Sequence, residues 1–316
     1  MLGNPRHRHP LFVLAFAFLL VRIAHSEPGH VFKPLTPDEQ QAIRAAIPDH
    51  PRARPAKPRH VLIFYRTEGF VHASIPHANE ALEELGERTG AYTAQTGEDL
   101  PSLDPAQLAH YDAIIFNNTT HLSLTDLAHR TALLAFVKSG KGIVGIHAAS
   151  DSFYTWPEGQ ELLGGFFHSH PWGSGDTVAV KLDDPQSPIN ATFGGDGFWV
   201  KDEIYQIIGP YSRTRQHVLL SLDMSRPENA RKPDELVRTD NDFPIAWIKQ
   251  EGRGRVFYTS LGHNPEDYRT RGLLQHFLDG IQYALGDLPA DATPTAKLKS
   301  PPQPALAPPT RHAINE

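Results

Sequence analysis

The chain has 316 residues, of which 40% are hydrophobic and 21% charged, a balance that excludes wholesale disorder and leaves room for one large α/β domain or two small ones. A formal charge of −6 disfavours non-specific nucleic-acid binding. The absence of cysteine excludes thiol catalysis, disulfides and lipoprotein attachment.

Arg6 and Arg8 precede an apolar run from Leu11 to Val21, and Ala24-His25-Ser26 follows it. A basic start, a short apolar stretch and a small-x-small site read as a signal peptide over residues 1–26. The run is too short to cross a bilayer as a helix. The expectation is a soluble periplasmic or secreted protein with no membrane span after processing. Residues 27–57, rich in Pro, Arg and Ala, read as an N-terminal arm with one helix from Pro37 to Ile47. The domain proper is expected over 58–288. Beyond it, Pro301, Pro302, Pro304, Pro308 and Pro309 mark 289–316 as a disordered tail.

Inside the domain, strands and helices alternate. His60–Tyr65 is a continuous apolar run, as expected of a strand buried on both faces. A helix follows from Ser74 to Thr89, stopped by Gly90, and a second strand falls near Tyr92–Gln95. Asp112–Asn117 is the third strand. Ser123 and Asp126 then form a capping-box pattern ahead of a helix with Leu127, Leu134 and Val137 as its apolar stripe. Gly140 closes that helix, and Gly142–His147 is the fourth strand. This βαβαβ rhythm predicts an α/β fold with a doubly wound, mostly parallel sheet. The second half adds candidate strands at Thr177–Leu182, Val200–Ile207, Val218–Leu222, Pro244–Lys249 and Val256–Leu261. Short turns such as Glu251–Gly254 make some of these antiparallel. A last helix is predicted from Pro265 to Leu285, capped by Asn264.

Ligands of open α/β sheets bind beyond the carboxyl ends of the strands. After the first strand stand Arg66, Glu68, Phe70 and His72; after the third, Asn117 to His121; after the fourth, His147, Ser150 and Asp151. Gly262-His263-Asn264 follows the Val256 strand. In Gly142-Ile-Val-Gly-Ile-His147-Ala-Ala-Ser150 a strand runs into a small-residue turn with a histidine where related architectures place a nucleophile. Histidine there serves as base, acid or metal ligand. His168 and His170 lie two apart, on one face of a strand, a spacing that suits a metal but lacks a companion at fixed spacing. Asp202-Glu203 sits in an otherwise buried strand, where an unpaired carboxylate is costly, so Glu203 is expected to meet a histidine or arginine.

Six segments carry a resemblance: Glu68-Gly-Phe-Val-His-Ala-Ser-Ile-Pro76, Gly145-Ile-His-Ala-Ala149, Gly164-Gly-Phe-Phe-His-Ser-His-Pro171, Asp202-Glu-Ile-Tyr205, Pro244-Ile-Ala-Trp247 and Gly252-Arg-Gly-Arg-Val-Phe-Tyr-Thr-Ser-Leu-Gly-His263. Together, in this order over nearly all of 60–286, they resemble the ThuA-like (trehalose-utilisation) family. Its fold is similar to flavodoxin-like class I glutamine amidotransferases. The resemblance implies carbohydrate metabolism, including disaccharides and their oxidised forms. In the amidotransferases the position of His147 would be Cys and a His-Pro-Glu would follow the late strand. Here the late motif is His263-Asn-Pro-Glu266, which argues against glutamine hydrolysis. A His-Pro-Ile segment associated with the family is Ser187-Pro188-Ile189 here.

The expected chemistry is acid/base work on a sugar or keto-sugar. His147 and His263 share proton transfer, tuned by Glu203 or Glu68. His72, Asn117, Asp151, His170 and Trp247 contact the substrate, with Phe70 and Tyr154 as further stacking faces. No cofactor is assigned. A non-catalytic sugar-binding module and a divalent-metal site built from the same histidines stay open as alternatives.

Overall fold

A strand apolar on both faces has to be covered on both faces, and the first half of this chain supplies strands and covers in turn. The computed structural model describes Met1 and residues 29–316, so the leader expected over 1–26 lies, Met1 apart, outside the described residues. From Val31 onward the elements are α1 (Pro37–Ala46), β1 (His60–Phe64), α2 (Ile75–Thr89), β2 (Thr93–Gly97), α3 (Pro105–Leu108), β3 (Ala113–Asn117), α4 (Leu127–Lys138) and β4 (Gly142–Ile146). There follow α5 (Pro157–Leu163), β5 (Phe166–Trp172), β6 (Thr177–Leu182), β7 (Phe198–Lys201), β8 (Ile204–Ile208), β9 (His217–Leu222), β10 (Pro244–Glu251), β11 (Gly254–Thr259) and α6 (Arg271–Leu285).

One nine-stranded sheet runs in the order β2-β1-β3-β4-β11-β10-β9-β6-β7. The strands from β2 to β11 are parallel; β10, β9, β6 and β7 join antiparallel to their neighbours. β5 and β8 make a separate antiparallel pair. The expected α/β sheet, mostly parallel with antiparallel additions in the second half, is the one observed. Apolar side chains of β1, β3, β4 and β11 enter one core with α2 and α6 and a second with α4 and α5.

Local differences from the expected elements have local causes. The Ser123 hydroxyl and amide bind the Glu68 carboxylate, so Asp126 caps α4 alone by accepting from Ala128 N. Of the predicted stripe Val137 is buried, Leu134 is partly buried and Leu127 is exposed, and α4 buries Ala132, Leu133 and Phe136 beside Val137. The expected strand Val200–Ile207 is broken at Asp202-Glu203 into β7 and β8, because both acids turn aside to other partners. The last helix splits into a 3-10 turn at Pro265–Arg269, capped by Asn264, and α6.

The flanking segments also differ from expectation. The N-terminal arm is docked: Ile43 and Ile47 enter the core, Arg44 pairs with Glu80 and Glu84, and Arg52 reaches the buried Asp279. The proline-rich stretch expected to be disordered lies along the sheet. Ala305 pairs with Leu182, Ala313 pairs with Trp199 on the edge strand β7, and Trp199 Nε1 donates to the Pro308 carbonyl at 2.9 Å. Backbone partners replace a core of its own, which composition does not register, and an otherwise open sheet edge is covered. Removing residues 303–316 should therefore expose Trp199 and lower stability by roughly 2 kcal/mol or more. An unchanged thermal midpoint would contradict this packing.

His217 ties β9 to the segment beyond α6, with Nδ1 on the Thr293 carbonyl at 2.7 Å and Nε2 on Asp184 at 3.0 Å. Burial lowers its pKa, but the hydrogen bonds to Asp184 and Thr293 outweigh this and raise it above the ordinary value. The folded pKa thus lies above the unfolded one. The contribution is complete below about pH 6.5 and is lost as pH rises through the folded value. The stability gap between wild type and His217→Gln should shrink with rising pH across that window, as read by urea denaturation.

Candidate functional site

Because β1, β3, β4 and β11 are parallel, the loops after them leave the sheet at one edge. Three bring a histidine to one spot: His72 after β1, His147 directly after β4 and His263 after β11. The backbone there is strained. Asn118, His121, Leu124, His147 and Phe153 all have positive φ, between 42° and 64°, in the loops after β3 and β4. Non-glycine residues adopt that region at a cost that surrounding structure has to cover. Gly262, before His263, has φ +114°, and a Cβ there would stand 2.5 Å from the Tyr268 hydroxyl, so only glycine lets the loop turn at that point.

His147 is fully buried and bonded at both nitrogens. Its Nδ1 lies 2.7 Å from the Ser260 carbonyl, which requires a proton on Nδ1 and, in the neutral ring, makes Nε2 the acceptor. Nε2 faces the Tyr205 hydroxyl at 2.9 Å, His263 Nδ1 at 3.2 Å and Glu203 Oε1 at 3.7 Å. Glu203 Oε1 is 3.3 Å from His263 Nδ1, and its Oε2 is 3.3 Å from His170 Nδ1. The His72 ring meets those of His147 and His263 edge-on, with centroids 4.9 and 5.1 Å apart. The ligand-capable atoms of His72, His147, Glu203 and His263 lie within 4.8 Å of one another.

Charge is distributed unevenly in this group. Burial, with repulsion from His147 and His263, drives the His72 pKa down to about 2, so its ring is neutral. Burial alone would raise Glu203, but the neighbouring His147 and His263 rings hold it well below the usual carboxylate range. His263 is lowered by burial and raised more strongly by Glu203, for a net upward shift. Across the pocket, burial raises the Asp151 carboxyl even though the Tyr154 hydroxyl donates to it.

A cavity of about 290 Å³ opens over these residues, lined by Phe70, His72, Thr120, Asp151, Phe167, His170, Glu203, Tyr205 and His263, with His121 at its side. A larger cleft of about 900 Å³ lies by Phe193, Trp199, Arg271 and the C-terminal segment, away from the histidines. The clustered carboxylates, and the clustered histidines other than His147, line the smaller one.

Most of the expected site residues meet here: His72, His147, His170, Glu203, His263 and Asp151. Three do not. Glu68 is held by Ser123 and Arg66. Asn117 is buried under the loop, donating to Asn79 and accepting from Asn118. Trp247 is a core residue stacked on Tyr258, its Nε1 bonded to the Leu163 carbonyl at 2.9 Å. It lies within β10, which runs antiparallel to β11, so its neighbours are those of the sheet interior. His168 is exposed and binds Ser169 Oγ, whereas His170 reaches Glu203. Tyr205 was not anticipated. It is the second residue of β8, just past the break that holds Glu203, and the signal for it was its place in the segment Asp202-Glu-Ile-Tyr205.

The backbone behind the site is fixed by a buried acid. Asp202 accepts from Gly262 N at 2.8 Å, Asn264 N at 3.3 Å and Glu203 N at 2.9 Å. Asp267, also fully buried, accepts from Asn264 N at 3.3 Å and from Asn315 Nδ2 at 2.6 Å.

A family model described as trehalose utilisation, ThuA, matches residues 60–284. A ThuA-like protein from Bacteroides uniformis superposes with a TM-score of 0.59 at 24% identity, over 74% of this chain and 95% of its own. Another from Parabacteroides merdae gives 0.56 at 17% identity, over 75% and 93%. No curated protein matches. The two likenesses bear on the fold, which is of the class I glutamine amidotransferase type, and the family match spans the sheet and every residue of the histidine cluster. The chain belongs to the ThuA (trehalose utilisation) family.

Proposed function

We propose that this protein is an enzyme of carbohydrate metabolism that moves a proton on a sugar or keto-sugar seated over the histidine cluster. One observation carries the reading: His147 Nε2, His263 Nδ1 and Glu203 Oε1 form a triangle with sides of 3.2, 3.3 and 3.7 Å, in which His263 and Glu203 line a cavity and His147 is buried behind them. Two nitrogens and a carboxylate that close share positive charge and pass it on to a ligand oxygen. Asp151 and His170 stand on the walls, where they reach the neighbouring hydroxyls. Phe70 and Phe167 offer apolar faces to a sugar ring, and the cavity is at the small end of ligand pockets, which suits a compact polar ligand. Family membership supports a carbohydrate as the ligand. Glutamine hydrolysis is not part of the proposal, since His147 occupies the turn and the chain has no cysteine.

Export belongs to the same proposal and rests on the basic start, the Leu11–Val21 run and Ala24-His25-Ser26. N-terminal sequencing of protein recovered from the periplasm or medium should begin near Glu27; intact Met1 in the membrane fraction would oppose it.

For the chemistry, solvent deuterium should enter a keto-sugar at the carbon next to its carbonyl in the presence of the protein. His147→Gln and His263→Gln should each slow this by about 100-fold or more. The double variant should lose little beyond either single one, because groups acting as a unit are non-additive. Saturable sugar binding with no exchange would make the protein a binding module. Additive losses of stability with no effect on exchange or binding would make the histidines structural.

Asp202→Asn should act differently. It leaves the substrate-facing groups in place but weakens the anchor of Gly262, Asn264 and Glu203, so turnover should fall along with a loss of roughly 1–3 kcal/mol of stability. Full activity in a variant so destabilised would show that the anchor does not position the site.

A further inference from the structure

The triangle also has the dimensions of a coordination sphere. Four ligands at about 2.0–2.1 Å around a zinc-sized ion stand about 3.3 Å from one another. His147 Nε2 to His263 Nδ1 is 3.2 Å, His263 Nδ1 to Glu203 Oε1 is 3.3 Å and His147 Nε2 to Glu203 Oε1 is 3.7 Å. The His72 ring supplies a fourth donor, within 4.8 Å of the other three. We propose that His72, His147, Glu203 and His263 bind one divalent first-row transition metal ion, which an oxygen of the sugar, entering from the cavity, joins as a fifth ligand.

The surroundings of the donors support this. His147 gives its Nδ1 proton to the Ser260 carbonyl, which aims the Nε2 lone pair into the cluster; that outer hydrogen bond is the usual companion of a metal-binding histidine. Asp202 binds the amides on both sides of His263 and the amide of Glu203, so two donors share one rigid support. Three imidazoles with one carboxylate suit zinc, iron, cobalt or nickel, whereas calcium and magnesium favour sets made of oxygens. Among the described residues, no other group of three or more such side chains converges in this way. The ion takes the place of the proton that His147 and His263 hold between them in the metal-free protein, and polarises the ligand oxygen that they would otherwise protonate. The proposal rests on the preceding reading only for the sugar; the ion site stands on its own geometry.

Tag-free protein, stripped with a chelator and dialysed, should bind one equivalent of Zn²⁺ by calorimetry. It should show visible d–d bands of a nitrogen-ligated site with Co²⁺, and melt at a higher temperature when loaded. His263→Gln, at a half-buried position, and Glu203→Gln should each weaken binding by more than about 100-fold, while His168→Ala, outside the cluster, should leave it unchanged. Binding that is absent, or that survives both cluster variants, would overturn the proposal. So would deuterium exchange at full rate in the stripped protein, although the proton-transfer reading would then stand. Stoichiometric binding with no exchange on any keto-sugar would uphold the ion and overturn that reading instead.

Discussion

The acceptor capacity of one buried carboxylate, Asp202, holds the site together. It is fully enclosed, and a carboxylate without partners in that place would be prohibitively costly. It meets the cost with three backbone amides from two distant stretches, those of Glu203 beside it and of Gly262 and Asn264 sixty residues later. His263 and Glu203 therefore meet because the same anion fastens the chain on either side of them. Asp267 lies just behind, and burial together with the charge of Asp202 raises its carboxyl well above the ordinary range. A neutral acid beside an anion is stable where two anions would not be. Asn315 completes the group from the far end of the chain.

The loops around the pocket pay a conformational cost that the sheet absorbs. Asn118, His121, His147 and Phe153 hold left-handed backbone conformations, and their neighbours are locked from several directions. The Tyr258 hydroxyl donates to the His147 carbonyl, His121 N donates to the Asp151 carbonyl, and Phe153 N donates to that of Leu122. A network so cross-linked keeps donor atoms fixed before any ligand arrives, which is the condition for a preorganised site.

Much of this was legible in the chain. The apolar runs at His60, Asp112 and Gly142 are continuous, and the strands they foretell are present. The histidines at the ends of those strands were legible for the same reason, since a parallel sheet collects its carboxyl ends on one side. Trp247 was misplaced because its strand runs the other way, a property set by β9 and β11 and not by its own residues. Glu68 was misplaced because Ser123, which reads as a helix cap, instead supplies two donors to it across a loop. The C-terminal segment was misjudged because composition reports what a segment can bury alone and is silent about an open edge waiting elsewhere, here that of β7. In each case the missing information is a partner distant in sequence.

The contact between Asn315 and Asp267 has a bearing on how the molecule comes into being. Residue 202, the stretch 262–267 and residue 315 are joined only by closing long loops, and such closures are the slow, entropically opposed part of assembly. A growing polypeptide can form β1 to β4 and their helices as they emerge, yet the support behind His263 stays unfinished until residue 315 has been added. The strained, histidine-bearing surface is thus among the last features to be completed, and throughout synthesis the incomplete molecule carries the fold's scaffold without its finished histidine cluster.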